Sequence, residues 1–284
     1  MKKHTPVLQD TVIEALHIAK GKRYIDATGG EGGHTQAIVA AGGSVLVLDA
    51  DPDQASKLVQ TLSGLPVTVI HGNFRSIDMI AQQSGYTSVD GVLFDFGLSM
   101  MQLESSGRGF SYRKQEEPLD MRLDPKQEGT AASLIASKTE DELYDLLAKN
   151  AEEYYSQSIA HGIIRQEKNG GMQRVKDLIL AIDSSIPETI DMHTKEHIYA
   201  RIFQALRIAV NDEYGAIREG VAGAVRILKP NARLVTITFH SGEDRLIKQM
   251  TKTMPLSIIP VEQKRAHERR SFERSARVRV YEKK

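Results

Sequence analysis

The amino-acid sequence predicts an α/β fold, a doubly wound parallel sheet that a long helical insertion interrupts. The first indication is a glycine-rich turn at residues 28–33, which lies between an apolar strand ending at Asp26 and a helix, as in nucleotide-binding units. Apolar strands and helices then alternate as far as Asp95. Between residues 103 and 199 no buried strand pattern occurs, and this helical stretch is too long for a loop.

The composition of the 284-residue chain excludes several classes of protein. Its 37 basic and 37 acidic residues cancel, so net charge does not indicate a nucleic-acid partner, although basic residues prevail between Lys264 and Arg279. The absence of cysteine excludes disulfides and thiolate metal sites. No apolar run approaches the roughly 20 residues of a membrane span, and the N-terminal residues lead into an amphipathic helix. We therefore expect a soluble cytoplasmic protein.

The glycine-rich turn predicts a nucleotide ligand. Gly30 and Gly32 match the first two places of the dinucleotide fingerprint, but Thr35 occupies the third. Asp26, at the strand tip, would repel a pyrophosphate and would suit a ligand with a positive end, such as the ammonium and sulfonium of S-adenosylmethionine. Dinucleotide binding and a turn without a ligand remain alternatives.

Several strands end in polar residues. The strand Ser44–Leu48 runs into Asp49, about 20 residues past the first glycine, where an acid usually binds a ribose hydroxyl. The strand 89–95 ends at Asp95, and the strand 67–70 leads to Asn73 and Phe74. In a parallel sheet these tips converge on one crevice. Asp49 could instead be a plain turn acid, and Asp95 a helix cap.

The pattern divides the chain into a discontinuous sheet domain, residues 1–103 and 203–284, and an inserted helical domain, residues 104–202. Within the insertion, Thr139 and Glu142 predict a capping box at the start of a helix, and residues 176–182 predict another helix. After the insertion we expect the following elements, in order: a long helix through residues 217–228, a strand at 233–239, a helix capped by Ser241, and a hairpin-like pair of strands at 256–261 and 276–281.

One segment of the insertion suggests RNA binding. Arg108 and Arg113 bracket Phe110 and Tyr112, and arginine can neutralise phosphate while an aromatic ring can stack on an unpaired base. A core aromatic pair with solvated arginines is the alternative. His193 and His197 have a metal-like spacing on a helix, but no glutamate follows the first histidine, so we expect surface histidines and no metal.

Taken together, the motifs resemble one family, the MraW-type small-subunit ribosomal RNA methyltransferases, which methylate the exocyclic amine of a cytosine. The resembling segments run nearly end to end. They are His4–Leu8, Gly32–His34, Asp49–Pro52, His71–Phe74, Asp90–Gly97, Gln102–Leu103, Arg108–Ser111, Pro118–Arg122, Phe203–Asn211 and Phe239–Ser241 with Glu243–Arg245.

The resemblance implies a class I, Rossmann-like methyltransferase sheet, with S-adenosyl-L-methionine as cofactor and the inserted helical domain recognising the substrate. It implies a small-subunit ribosomal RNA partner, within the assembled subunit. The family's cofactor contacts carry over onto residues that match its motifs: Gly32, Gly33, His34, Asp49, Phe74, Asp95 and Gln102.

Catalysis needs a hydrogen-bond acceptor for the target amine, whose lone pair is delocalised into the cytosine ring. Asp95 could accept this hydrogen bond, which is a hypothesis that competes with its role in cofactor binding. A nearby backbone carbonyl could do the same. Two other functions stay open: a methyltransferase acting on another nucleic acid or a small molecule, and a non-catalytic RNA-binding ribosome assembly factor.

The chain also departs from the family pattern. Met100 and Met101 stand where the family usually has Ser-Pro, and Gly242 stands where it has leucine. These changes lie mostly on the substrate side, as expected of a diverged paralogue.

Overall fold

The computed structural model describes residues 6–262 and 273–284. They form a seven-stranded sheet in the order β3-β2-β1-β4-β5-β7-β6. Strands β1 to β5 are parallel, whereas β7 is antiparallel to both β5 and β6. The strands are β1 (Arg23–Asp26), β2 (Ser44–Asp49), β3 (Val67–His71), β4 (Val89–Asp95), β5 (Leu228–Thr238), β6 (Leu256–Ile259) and β7 (Arg277–Lys283).

The helices occupy the segments between and beyond the strands. They are α1 (Gln9–Leu16), α2 (Gly33–Ala40), α3 (Pro52–Thr61), α4 (Ile77–Gln83), α5 (Met100–Ser105), α6 (Ala131–Ala136), α7 (Glu140–Ala151), α8 (Ser156–Gly170), α9 (Val175–Asp183), α10 (Met192–Val210), α11 (Glu213–Ile227) and α12 (Ser241–Thr251). None of the helices in the described ranges is long and apolar enough to cross a membrane.

The sheet is buried on both faces. Alternate residues of a strand belong to different cores, as the two-residue period of a strand requires. Ile25 and Leu46 pack in the core that includes α4 and α11, and Tyr24 and Val45 pack in the core that includes α1, α2 and α3. All four of these side chains are 0–1% exposed. The expected doubly wound sheet is therefore confirmed, with the closing antiparallel pair of strands β6 and β7.

The chain divides into two compact units, a sheet unit of Met1–Gly97 with Tyr214–Lys284 and a helical unit of Leu98–Glu213. The sequence placed these divisions at 103/104 and 202/203. The second predicted division falls inside α10, which continues without a break to Val210. An amphipathic helix of 19 residues carries no signal within it that marks a boundary.

The helical unit surrounds its own hydrophobic core, which includes Leu143, Ile163 and Phe203. The expected capping box is confirmed at Thr139, whose hydroxyl accepts from the Glu142 amide while the Glu142 carboxylate accepts from the Thr139 amide. The expected cap of α12 is wrong by one residue. His240 caps this helix, because its Nδ1 accepts from the Glu243 amide and Ser241 already lies in the first turn.

Candidate active site

The turn after β1 is hydrogen-bonded to the strands on both sides. The Ala27 amide donates to the Leu93 carbonyl in β4, and the Gly29 amide donates to the Leu48 carbonyl in β2, over 2.9 and 2.7 Å. The Asp95 amide donates back to the Thr28 hydroxyl over 2.7 Å. The turn is thus fixed between the ends of β2 and β4, and any ligand cradled there meets both strand tips.

Asp49 and Asp95 lie at matching positions along β2 and β4, one on each side of that turn. Asp26 of β1 pairs with Val47 of β2 and with Leu93 of β4, so each acid stands two residues beyond this level. Two strand spacings separate their backbones, about 10 Å. This span suits a nucleoside whose ribose and reactive end face different carboxylates.

Two glycines of the turn have different structural reasons, one a backbone conformation and the other a close neighbouring group. Gly32 caps α2 at a φ of 80°, in the left-handed region that favours glycine. A Cβ atom on Gly33 would lie 2.3 Å from Cγ of Pro6, so a side chain there would displace the segment that precedes α1. The turn therefore brings bare backbone to the crevice.

Asp49 is 9% exposed and already accepts two backbone hydrogen bonds. Its Oδ2 accepts from the Gly30 amide over 2.8 Å, and its Oδ1 accepts from the Asp51 amide over 2.9 Å. Burial raises the pKa of Asp49 to about 7. Each carboxylate oxygen keeps a further lone pair, so the group could also accept from the two hydroxyls of a ribose.

Asp26 is enclosed by protein, with 0% exposure. Its Oδ2 accepts from the Thr35 hydroxyl over 2.7 Å, and burial raises its pKa to about 6. Thr35, which replaces the third glycine of the dinucleotide fingerprint, is therefore a donor to this carboxylate. Asp26 fixes the start of α2, and its carboxylate is not exposed to the crevice.

His34 and Asp95 form a polar pair at the crevice. His34 is 7% exposed, and its Nε2 lies 3.5 Å from Oδ2 of Asp95. Burial alone would lower the pKa of His34, but the carboxylates of Asp95 and Asp26 raise it overall. Neither ring nitrogen nor Oδ1 of Asp95 makes a hydrogen bond with any residue that the structure describes. Buried polar atoms without partners are uncommon, and here they point to a ligand.

A cluster of three aromatic rings lies at the ends of β3 and β4. The half-buried ring of Phe74 meets Phe94 and Phe96 edge-on, with ring centroids 5.5 and 5.7 Å apart. Its other neighbour is the backbone of α11 at Gly220, where a Cβ would come within 2.7 Å of the Phe74 ring. The arrangement offers an apolar surface for a planar base, such as adenine, at the tip of β3.

Gln102, which the resemblance assigned to the cofactor, lies in the helical unit. Its side chain closes a capping box at the start of α5: Oε1 accepts from the Ser99 amide over 2.9 Å, and the Ser99 hydroxyl accepts from the Gln102 amide. The residue is 6% exposed. This cap orients the amide, and contact with a cofactor stays a prediction.

The four residues predicted to bind substrate occupy different environments. Phe110 is 6% exposed and belongs to the core of the helical unit. Tyr112 packs on Tyr199 and Phe203, with centroid distances of 5.7 and 6.3 Å. Phe110 is therefore buried in the core, whereas Tyr112 is half-buried and packs against it. Stacking of Phe110 on a base would need the core to open, and for both rings the contact with a base stays a prediction.

The two arginines of the same segment also differ. Arg108 is 8% exposed, and its Nη1 donates to the carbonyls of Arg122 and Leu123 over 2.9 and 2.6 Å. Arg113 has 71% of its side chain exposed, and its nearest acid is Glu196, at 4.0 Å. Arg113 is thus the exposed arginine of the segment, and its contact with a phosphate stays a prediction.

Three polar side chains hold the long loop before α6. Asn211 accepts from the Leu123 amide and donates to the carbonyls of Met121 and Arg207. Arg122 pairs with Asp120 through two hydrogen bonds of 2.8 Å. The sequence does contain a signal for such a contact, which is an asparagine directly after the apolar end of a helix.

The basic stretch Lys264–Arg279 lies only partly within the described residues, since Lys264, Arg265, Glu268, Arg269 and Arg270 fall outside them. Of its described members, Arg279 binds Asp244 through two hydrogen bonds of 2.6 and 3.0 Å. Arg277 reaches the same carboxylate at 3.3 Å and keeps 64% of its side chain exposed.

Known proteins resemble this chain throughout its length. A family model described as the MraW methylase family matches residues 1–284. Ribosomal RNA small subunit methyltransferase H of Carboxydothermus hydrogenoformans is 39% identical over 86% of this chain and 79% of its own. The protein of that name from Deinococcus radiodurans is 37% identical over 99% of this chain and 89% of its own.

Among solved structures, an rRNA methylase from Streptococcus thermophilus is 11% identical, with a TM-score of 0.44 over 100% of this chain and 98% of that one. The family assignment does not depend on this likeness. It follows from the full-length family match and the two curated relatives. This chain belongs to the MraW methylase family.

Proposed function

We propose that this protein is an S-adenosylmethionine-dependent methyltransferase that methylates the exocyclic N4 amine of a cytosine in small-subunit ribosomal RNA. Family membership supports the reaction and the substrate. The observation that carries the proposal in the structure is the pair of acids at the tips of β2 and β4, one of which stands beside a buried histidine without hydrogen-bond partners.

The crevice fits this cofactor. When bound, S-adenosylmethionine supplies an electrophilic methyl group on a sulfonium. Asp49 would accept hydrogen bonds from the ribose hydroxyls, and Phe74 would pack against adenine. The Asp95 carboxylate and the turn at Gly32, Gly33 and His34 would receive the end that carries the positive charge, which offers a donor to the partnerless Oδ1 of Asp95.

Asp95 is also the residue proposed for catalysis. The N4 lone pair must leave conjugation with the ring, because only then would it be available to the methyl group that the bound cofactor would supply. A carboxylate that accepts a hydrogen bond from the amine favours this change and can take the proton that the nitrogen must lose. His34 lies beside this carboxylate, with its Nε2 3.5 Å from Oδ2 of Asp95.

Small-subunit ribosomal RNA without the modification provides the test. The protein is incubated with labelled S-adenosylmethionine and either the free RNA or the isolated subunit, and the labelled nucleotide is located by mass spectrometry. We expect label on a cytosine N4, with the assembled subunit as the better acceptor. Label on DNA, protein or a small molecule alone would contradict the proposal, and cofactor binding without transfer would indicate a non-catalytic role. A cytoplasmic location follows from this substrate.

The helical unit is proposed to recognise the RNA, with Arg113 as one contact. Joining Gly97 to Tyr214 through a glycine–serine linker removes this unit and tests the division. We expect a folded product, checked by circular dichroism, that binds S-adenosylmethionine and transfers no methyl to RNA. A folded product that has lost cofactor affinity would assign Gln102, or the unit around it, to the cofactor pocket.

A further inference from the structure

A groove of about 370 Å³ lies on the sheet unit between α12 and the start of β7. Its lining includes four cationic side chains, Arg245, Lys248 and Lys252 on α12 and Arg277 on β7, and a single acid, Asp244. The spacings along α12 are three and four residues, so the three cations share one helical face. The groove is therefore strongly basic.

The charges of Lys248 and Lys252 in the groove are not cancelled within the described residues. Asp244 is 5% exposed and already binds Arg279 through two hydrogen bonds, with Arg277 as a further partner. Lys248 and Lys252 are exposed, and neither forms an ion pair with a described carboxylate. This surface therefore has an excess of positive charge, which favours binding of an anion.

Helix stability does not account for this arrangement. Like charges three and four residues apart destabilise a helix, which is the spacing of Arg245, Lys248 and Lys252. Attraction to the helix dipole explains cations near the C-terminal end, and thus Lys248 and Lys252. It explains neither Arg245 in the first half of α12 nor Arg277, which a different element contributes.

The groove opens at the same sheet edge as the crevice. Asp95 of β4 pairs with Ile237 of β5, and the next residue, Thr238, pairs with Arg277 of β7. Arg277 therefore lies two strand spacings from Asp95, about 10 Å across the sheet. α12 begins at Ser241, directly beyond the same end of β5. A strand of RNA with its target base at Asp95 carries phosphates within this range.

We propose that the groove formed by Arg245, Lys248, Lys252 and Arg277 binds phosphates of the substrate RNA next to the target cytosine. The assignment rests on the proposed function for the identity of the polymer. It adds a contact surface on the sheet unit, separate from any recognition by the helical unit. Since the contacts are to the backbone, they contribute affinity and register rather than sequence preference.

The double variant Lys248→Gln/Lys252→Gln tests this surface, with Lys20→Gln/Arg218→Gln as a matched control from the same unit, because both control cations are exposed and neither lines the groove. Binding to an unmodified small-subunit ribosomal RNA transcript is measured over a series of salt concentrations. We expect the slope of log Kd against log salt to fall by about 1.4 in the groove variant, as for two lost phosphate contacts of a single strand. The control should keep the wild-type slope.

Three further readouts distinguish a phosphate contact from a structural role. The groove variant should show a higher KM for RNA, an unchanged kcat and an unchanged Kd for S-adenosylmethionine. Its melting temperature should stay level or rise, because the substitutions remove repulsion between like charges. A groove variant with the wild-type Kd and salt slope would overturn the proposal. If the wild-type protein shows the groove-dependent salt slope but methylates nothing, the proposed function is contradicted. The proposal that the groove binds phosphates would still hold in that case.

Discussion

The two units use polar motif residues in opposite ways. In the helical unit, the side chains of Arg108, Arg122 and Asn211 form hydrogen bonds with backbone groups of one long loop. In the sheet unit, His34 is buried and Asp95 is half-buried, yet three of their polar atoms are buried without a partner among the described residues. Satisfied polar side chains indicate scaffolding, and unsatisfied ones indicate a place for a ligand.

The comparison predicts its largest effect for the stability of the helical unit, when a residue of its core is truncated. Phe110→Ala should lower the free energy of unfolding by about 3–5 kcal/mol, the usual cost of removing a buried phenylalanine. Urea denaturation measures the loss, and Phe110→Leu, which keeps most of the apolar volume, should lose much less. If Phe110→Ala were as stable as the wild type but bound RNA poorly, the ring would be a base-stacking residue after all.

On the crevice side, Asp95→Asn should lower kcat for methyl transfer by about 100-fold, because a neutral amide accepts a proton far less readily than a carboxylate. Asp90→Asn is the matched control, since Asp90 lies at the opposite end of the same strand and pairs with Lys229. Single-turnover kinetics at saturating cofactor separate this loss from weaker binding. A variant that loses only cofactor affinity, with full kcat, would restrict Asp95 to a binding role.

Asn211→Ala tests whether this side chain stabilises the long loop before α6. The substitution removes three hydrogen bonds and leaves the Leu123 amide and the Met121 carbonyl without their partner, at an expected cost of about 2 kcal/mol. Asn150→Ala removes a single long contact, to the Ala205 carbonyl at 3.4 Å, and should cost less. Equal losses in the two variants would show that the loop does not depend on Asn211.

The smallest effect concerns Asp49. Asp49→Asn should weaken S-adenosylmethionine binding about tenfold, the value of one charge-assisted hydrogen bond to the ribose. Because the pKa of Asp49 is raised to about 7, wild-type affinity should increase as the pH rises through 7 and the carboxylate ionises. Calorimetry below and above this pH measures both effects, with exposed Asp53→Asn as control. An affinity independent of pH would mean that Asp49 does not bind the ribose in its charged form.

The first half of the sheet was predictable because strands β1 to β4 are short apolar runs that end in a polar residue, and parallel pairing brings such ends together. The boundary of the helical unit was not, since α10 continues its apolar period across the predicted division. The environment of Phe110 was not predictable either. An arginine–aromatic segment has the same sequence whether its rings face a base or a core, and only packing decides.

The cap of α12 shows a similar limit. Serine is a common capping residue and histidine is not, so the sequence favoured Ser241 over His240. Gly242, which departs from the family pattern, has a local reason in the structure: a Cβ atom there would lie 2.1 Å from the hydroxyl of Tyr214. The space that a leucine would need is filled by a tyrosine far along the chain, which no local pattern reveals.

The pairing of β4 with β5 has a consequence for how the protein folds. Asp95 and its partner Ile237 are separated by the whole helical unit, whereas the contacts of that unit connect residues within one continuous segment. Closing so long a chain segment costs entropy before the strands gain their pairing, and distant contacts of this kind slow folding. We therefore expect refolding in two phases, with the helical unit fast and the sheet slow, so that methyl transfer is recovered only in the second phase.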